Sequence, residues 1–170
     1  MNAPAVIPGV GQTVPPGAEG QAELFTGRFL KKVAEFEIWM VRLIAAADPT
    51  ARIDTLIGKR VGALRAAVEK RPEIVRDRKR VEELLDRLQP YLALRAELAH
   101  GCSTTLTSED GKRIYLFETA SACPAHLWKV RTVIREDEIA VLYRGLSQII
   151  NELRQQTPPT PSSPRPRAPA

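Results

Sequence analysis

Between residues 20 and 47 the chain places Leu24, Phe25, Phe29, Val33, Phe36, Met40, Leu43, Ile44 and Ala47 at steps of three and four. A stripe with that period lies along one side of an α-helix and has to be covered by other elements. A helix this long cannot bury its stripe alone, so the remaining apolar segments are read as its partners. Asp48-Pro49 closes the helix, because the residue before proline avoids helical angles.

Three further helical segments follow. Residues 50–69 carry Ile53, Leu56, Ile57, Val61, Leu64 and Val68 on one face, with lysines and arginines between them. A third helix is expected from Pro72, which suits a first helical turn, through Val75, Val81, Leu84, Leu85 and Leu88. Pro90 is expected to interrupt or kink it. The pattern resumes with Tyr91, Leu94 and Leu98 and stops at His100-Gly101, where glycine is expected to supply a left-handed end. The last helix, 136–155, carries Ile139, Leu142, Leu146, Ile149, Ile150 and Leu153. Glu136, Asp137 and Glu138 complement its dipole from the first turn.

Between the third and last helices the pattern changes. STTLT at 103–107 and KRIYLFET at 112–119 are rich in β-branched and aromatic residues, and Asp110-Gly111 between them is a hairpin turn signal. The segment from His126 to Val133 is expected to pair with this hairpin or cover it. The fold class is therefore mainly α: a four-helix bundle with a small β-hairpin inserted before the last helix. Residues 20–156 form the domain. Residues 1–19 read as a disordered N-terminal arm and 157–170, with six of the fourteen prolines, as a disordered proline-rich tail. The tail is a second candidate contact point, for a module that binds proline-rich peptides.

Several function classes are set aside. No apolar run approaches the ~20 residues that cross a bilayer, and the first residues do not form a secretory leader, so a cytoplasmic protein with no membrane partner is expected. The two cysteines, Cys102 and Cys123, are read as reduced and structural. No metal cluster or cofactor motif is present, and neither a metal nor a cofactor is expected. The formal charge is +5, and residues 54–80 hold nine lysines and arginines against four acids. Lys59, Arg60, Arg65, Arg76, Lys79 and Arg80 are the candidates for holding a nucleic-acid backbone. The alternative is an ordinary solvated helix surface.

Arg95 and His100 differ in type from everything around them in YLALRAELAHG. A guanidinium can hold a phosphate through two parallel bonds, and an imidazole exchanges protons near neutral pH. Together they suffice for metal-independent cleavage of RNA. The histidine would move the proton of the 2′-hydroxyl or of the leaving oxygen, and the arginine would stabilise charge on phosphorus. Five residues turn a helix by about 500°, leaving the two side chains ~140° apart and ~7.5 Å along the axis. Either the helix end unwinds at Gly101, or a second subunit completes the site. Ser103 and Thr104 follow closely and lie within reach of a phosphate. Tyr91 and Trp128 are read as core or interface residues, and His126, the other histidine, as structural.

The segment Leu94-Arg95-Ala96-Glu97-Leu98-Ala99-His100-Gly101 resembles the signature of the HEPN superfamily, an arginine and a histidine four to six residues apart late in a helix of a four-helix bundle. The resemblance implies a dimeric helical fold with Arg95 and His100 in the active site. In many members it implies metal-independent RNA cleavage at the dimer interface. Many members are toxins or defend against phage, so the implied partners are a second copy, an RNA substrate and a cognate antitoxin protein. One position departs. HEPN nucleases usually carry a polar residue, often asparagine, directly after the arginine, and here it is Ala96. Alanine cannot orient the imidazole, so Glu97 is the candidate substitute, unless an arginine takes it. The readings that remain open are an endoribonuclease, a non-catalytic HEPN-like dimeric module binding RNA or a protein, and an unrelated helical interaction protein.

Overall fold

The computed structural model describes residues 10–11, 19–119 and 130–158. Four helices, α1 (Glu19–Ala47), α2 (Ile57–Lys70), α3 (Arg78–His100) and α4 (Glu136–Gln155), share one apolar core. An antiparallel sheet has the order β1 (Val10–Gly11), β2 (Cys102–Ser108), β3 (Arg113–Thr119) and β4 (Val130–Arg135); its last three strands lie between α3 and α4, and β1 joins from before α1. The chain is thus mainly helical, with the small sheet inserted before the last helix. The described part of the expected 126–133 segment pairs with the hairpin in β4, with Leu116 opposite Val133. The expected N-terminal arm supplies β1, with Val10 opposite Ser108.

The stripe of α1 is buried from Phe25 through Phe29, Val33, Phe36 and Met40 to Ile44, and Trp39 joins it. Leu24, expected in the stripe, is exposed. Against this face pack Val61, Leu64 and Val68 of α2, Leu84, Leu85 and Leu88 of α3, Leu146, Ile150 and Leu153 of α4, and Tyr115 and Phe117 of β3. Tyr91 is half-buried and stacks on Phe29 at 6.5 Å between ring centres, a core residue as expected. Helices α3 and α4 are antiparallel: Arg80 near the start of α3 pairs with Glu152 near the end of α4, and the Tyr91 hydroxyl lies over Gly145.

Four expectations are corrected. Helix α2 starts at Ile57, not near 50, because local side-chain bonds hold the connection open: the Asp48 carboxylate accepts from the Thr50 amide at 2.9 Å and the Asp54 carboxylate from the Leu56 amide at 2.9 Å. Ile53 still packs on the core, whereas Leu56 is 59% exposed. The third helix begins at Arg78, after a single 3-10 turn at Pro72–Ile74, because Asp77 caps it by accepting from the Arg80 amide at 3.0 Å. Pro90 does not interrupt α3; it sits on the exposed side, where the lost hydrogen bond faces water.

The fourth correction sits at the motif. Gly101 is not left-handed: its φ is −87° and ψ 144°, and the chain passes straight from α3 into β2. The left-handed glycine is Gly111, at φ +77°, in the three-residue hairpin loop 109–111. Glycine is needed at 101 for room. A Cβ there would meet the Glu97 carbonyl oxygen at 2.7 Å and the side chains of Thr119 and Phe117 at 3.3 and 3.4 Å. Gly101→Ala is therefore expected to lower stability by about 1–3 kcal/mol. Chemical denaturation checks this, and an unchanged midpoint would remove the close approach as the reason for glycine.

Candidate functional site

Arg95 and His100 both lie in the last two turns of α3, but they face different ways. Position 95 shares its side of α3 with Leu88, Leu92 and Leu98, turned toward α1, and Arg95 is half-buried. His100 is exposed, as is Ala96 four residues before it. The helix is intact to its end: the Gly101 amide donates to the Glu97 carbonyl at 2.8 Å. The unwound end that would bring the ring round to Arg95 is thus absent, because Gly101 is already committed to the helix-to-strand junction.

The Arg95 guanidinium approaches Glu37 of α1, Nη2 to Oε1, at 3.9 Å. The other oxygen of Glu37 accepts a hydrogen bond from Arg60 Nη1 of α2 at 2.8 Å, and Arg60 Nε donates to the Asp54 carbonyl. Three helices therefore converge on one carboxylate. Nothing local in the sequence announces this, since Glu37 stands 58 positions before Arg95. Its signal was limited to a carboxylate beside an apolar stripe, a common feature.

Glu97 does not serve His100. Its carboxylate accepts a hydrogen bond from the Thr132 hydroxyl of β4, which ties the end of α3 to the sheet. The alternative arginine partner is likewise not found among the described residues. Ser103 is exposed in β2, opposite Phe117 in the strand register, and Thr104 is exposed beside it. His126, Trp128 and Cys123 lie outside the described residues. Cys102 is a free, exposed thiol.

The basic stretch resolves into two kinds of residue. Lys59 pairs with Asp54 at 3.2 Å, Arg60 with Glu37, Arg65 with Glu82 and with Asp86 at 2.6 Å, and Arg80 with Glu83 at 3.2 Å and with Glu152. Arg76 and Lys79 are exposed and, among the described residues, enter no ion pair. Four of the six candidate backbone contacts thus already have carboxylate partners, which lowers the field the stretch offers to phosphates. No group of three or more histidine, cysteine or carboxylate side chains suited to a metal occurs among the described residues. No described helix is long and apolar enough to cross a membrane.

Several carboxyls are held below their usual range. Glu152 is lowered first by the hydrogen bond from Arg80 and then by that from Gln148, and Glu35 first by the hydrogen bond from Lys32. A carboxyl whose folded value is depressed contributes stability above its unfolded value of 4.5, and that contribution disappears as pH falls through the folded value. Acid titration of unfolding midpoints is expected to show a loss of stability between about pH 5 and pH 3, with a shallower loss in Glu152→Gln. Equal slopes in the two proteins would mean that the Arg80–Glu152 pair carries none of it.

No family model, curated protein or solved structure matches this chain.

Proposed function

We propose that this chain is a HEPN-like, metal-independent endoribonuclease that works as a homodimer, with Arg95 and His100 as its catalytic residues. The observation that carries the reading is the state of the end of α3. His100 is exposed on an intact final turn, and Arg95 stands beside a carboxylate at 3.9 Å, beyond hydrogen-bond range, and makes no hydrogen bond among the described residues. With about 140° of helix between them, one α3 does not present both groups to one phosphate. A second copy related by a two-fold axis brings the His100 of one subunit toward the Arg95 of the other. On this reading the four helices correspond to the HEPN bundle, and the exposed Arg76 and Lys79 are the members of the basic stretch that meet the RNA backbone.

The chemistry asked of the residues is proton transfer and charge stabilisation. His100 takes the proton of the ribose 2′-hydroxyl, or returns one to the departing 5′-oxygen. Arg95 forks two non-bridging phosphate oxygens as charge builds on phosphorus. The products are a 2′,3′-cyclic phosphate and a free 5′-hydroxyl. A toxin or phage-defence role in the cytoplasm, with a cognate antitoxin protein as partner, follows from the same resemblance.

A second reading, a non-catalytic HEPN-like dimeric module that binds RNA or a protein, is favoured by one pair of facts. Ala96 lies under His100 without a polar group, and Glu97 is engaged by Thr132. One experiment separates the two. Purified chain is incubated with RNA in EDTA beside His100→Ala and Arg95→Ala variants. The nuclease reading expects cyclic phosphate ends, with cleavage lowered about 10²–10⁴-fold by loss of the histidine and about 10²–10³-fold by loss of the arginine. Intact RNA from a folded dimer sinks it and leaves the binding module.

A further inference from the structure

We propose that Glu37 is a positioning residue for Arg95, and that Arg60 is its clamp rather than an RNA contact. The inference rests on the assignment of Arg95 to the site and adds two residues from other helices to it.

Three observations carry it. First, the two arginines meet Glu37 unequally. Arg60 is hydrogen-bonded to one carboxylate oxygen at 2.8 Å, whereas Arg95 lies 3.9 Å from the other. A separation of 3.9 Å is an electrostatic contact without a hydrogen bond, so the carboxylate aims the guanidinium without using up its donors. Second, the clamp is itself held. Arg60 Nε donates to the Asp54 carbonyl at 2.5 Å, in the connection that the Asp54 carboxylate shapes through the Leu56 amide. Third, the side chains are partly screened from water, with 19% of Arg60, 21% of Glu37 and 33% of Arg95 exposed. Charge contacts there are stronger than on an open surface. Arg95 is the most exposed of the three, the member a ligand would reach.

The order of these contacts gives each residue a distinct role. A carboxylate hydrogen-bonded by two arginines would compete with phosphate for both. Here Arg60 takes the hydrogen bond and fixes the carboxylate, and Arg95 is left oriented with its fork open. Long arginine side chains lose rotamer freedom when they bind, and a charge that already restricts Arg95 lowers that cost. Arg60, with its Nε on a carbonyl and its Nη1 on Glu37, is spent as a phosphate ligand.

The test compares full-length wild type with Glu37→Gln, Glu37→Asp and Arg60→Met, after thermal unfolding has shown each to be folded. Two readouts are taken. The Arg95 side-chain Nε–Hε NMR signal reports the tether whether or not the protein cuts RNA, and it is expected to shift in Glu37→Gln. In RNA cleavage, Glu37→Gln is expected to lower kcat about tenfold to a hundredfold while KM does not rise, as for a misaimed group that still meets its substrate. Glu37→Asp, which keeps the charge, recovers part of the loss, and Arg60→Met loses no more than Glu37→Gln. An unmoved Arg95 signal together with an unchanged kcat in Glu37→Gln overturns the proposal. A larger loss in Arg60→Met also overturns it, by making Arg60 a direct ligand. If wild type does not cut RNA, the nuclease reading fails, and the tether stands or falls on the Arg95 signal alone.

Discussion

The fold depends on the burial of one face of α1. Phe25, Phe29, Phe36 and Met40 present a continuous apolar ridge to α2, α3, α4 and the sheet. At about 25 cal/mol for each Å² of apolar surface removed from water, such large side chains dominate what holds the helices together. The same face sets the site. Tyr91 stacks on Phe29 and fixes the rotation of α3 about its axis. That rotation turns Arg95 toward Glu37 and leaves Ala96 and His100 outside. The separation of the arginine from the histidine comes from five residues of intact helix, and the core decides which of the two faces inward.

Much of this was legible from spacing. The 3.6-residue period marked four helices, and α4 has the expected boundaries of 136 and 155. The hairpin was legible from β-branched residues flanking Asp110-Gly111, because a left-handed glycine in a short loop has few alternatives. The misses have a common physical origin: competition between a helical pattern and a local bond. Apolar spacing through Ile53 and Leu56 continued into a segment that Asp48 and Asp54 hold out of the helix. Pro72 looked like a first turn, but Asp77 supplies the stronger start. Pro90 looked like a break, yet one lost hydrogen bond on a wet face does not stop a helix buried on its other side by Leu84, Leu85, Leu88 and Leu92.

The candidate residues stand out in the sequence by type, but their surroundings do not. Arg95 and His100 stand out by type, and the helical angle between them follows from five residues of spacing. What Glu97 does could not be read locally, because its partner Thr132 lies across the sheet. The same holds for Glu37 and Arg60, which meet Arg95 only because α1, α2 and α3 pack together. The pairing within the basic stretch is hidden for a related reason. A charge count along the chain cannot show that Glu82, Asp86, Glu83 and Glu152 come from other turns and other helices to neutralise it.

Gly101 links the two parts. Had it been left-handed, the final turn of α3 would have had freedom to reorient His100. Instead the glycine is extended, its amide closes the helix on Glu97, and the missing Cβ lets the chain pass under Thr119 and Phe117 into β2. Thr132 and Glu97 secure the same junction from β4. The end of α3 is thus secured from two strands, while Arg95, in the turn before it, faces α1. With the final turn intact, about 140° of helix lies between the two positions. In the proposed nuclease reading, a second copy therefore supplies the complementary group, and the intact junction is what makes it necessary.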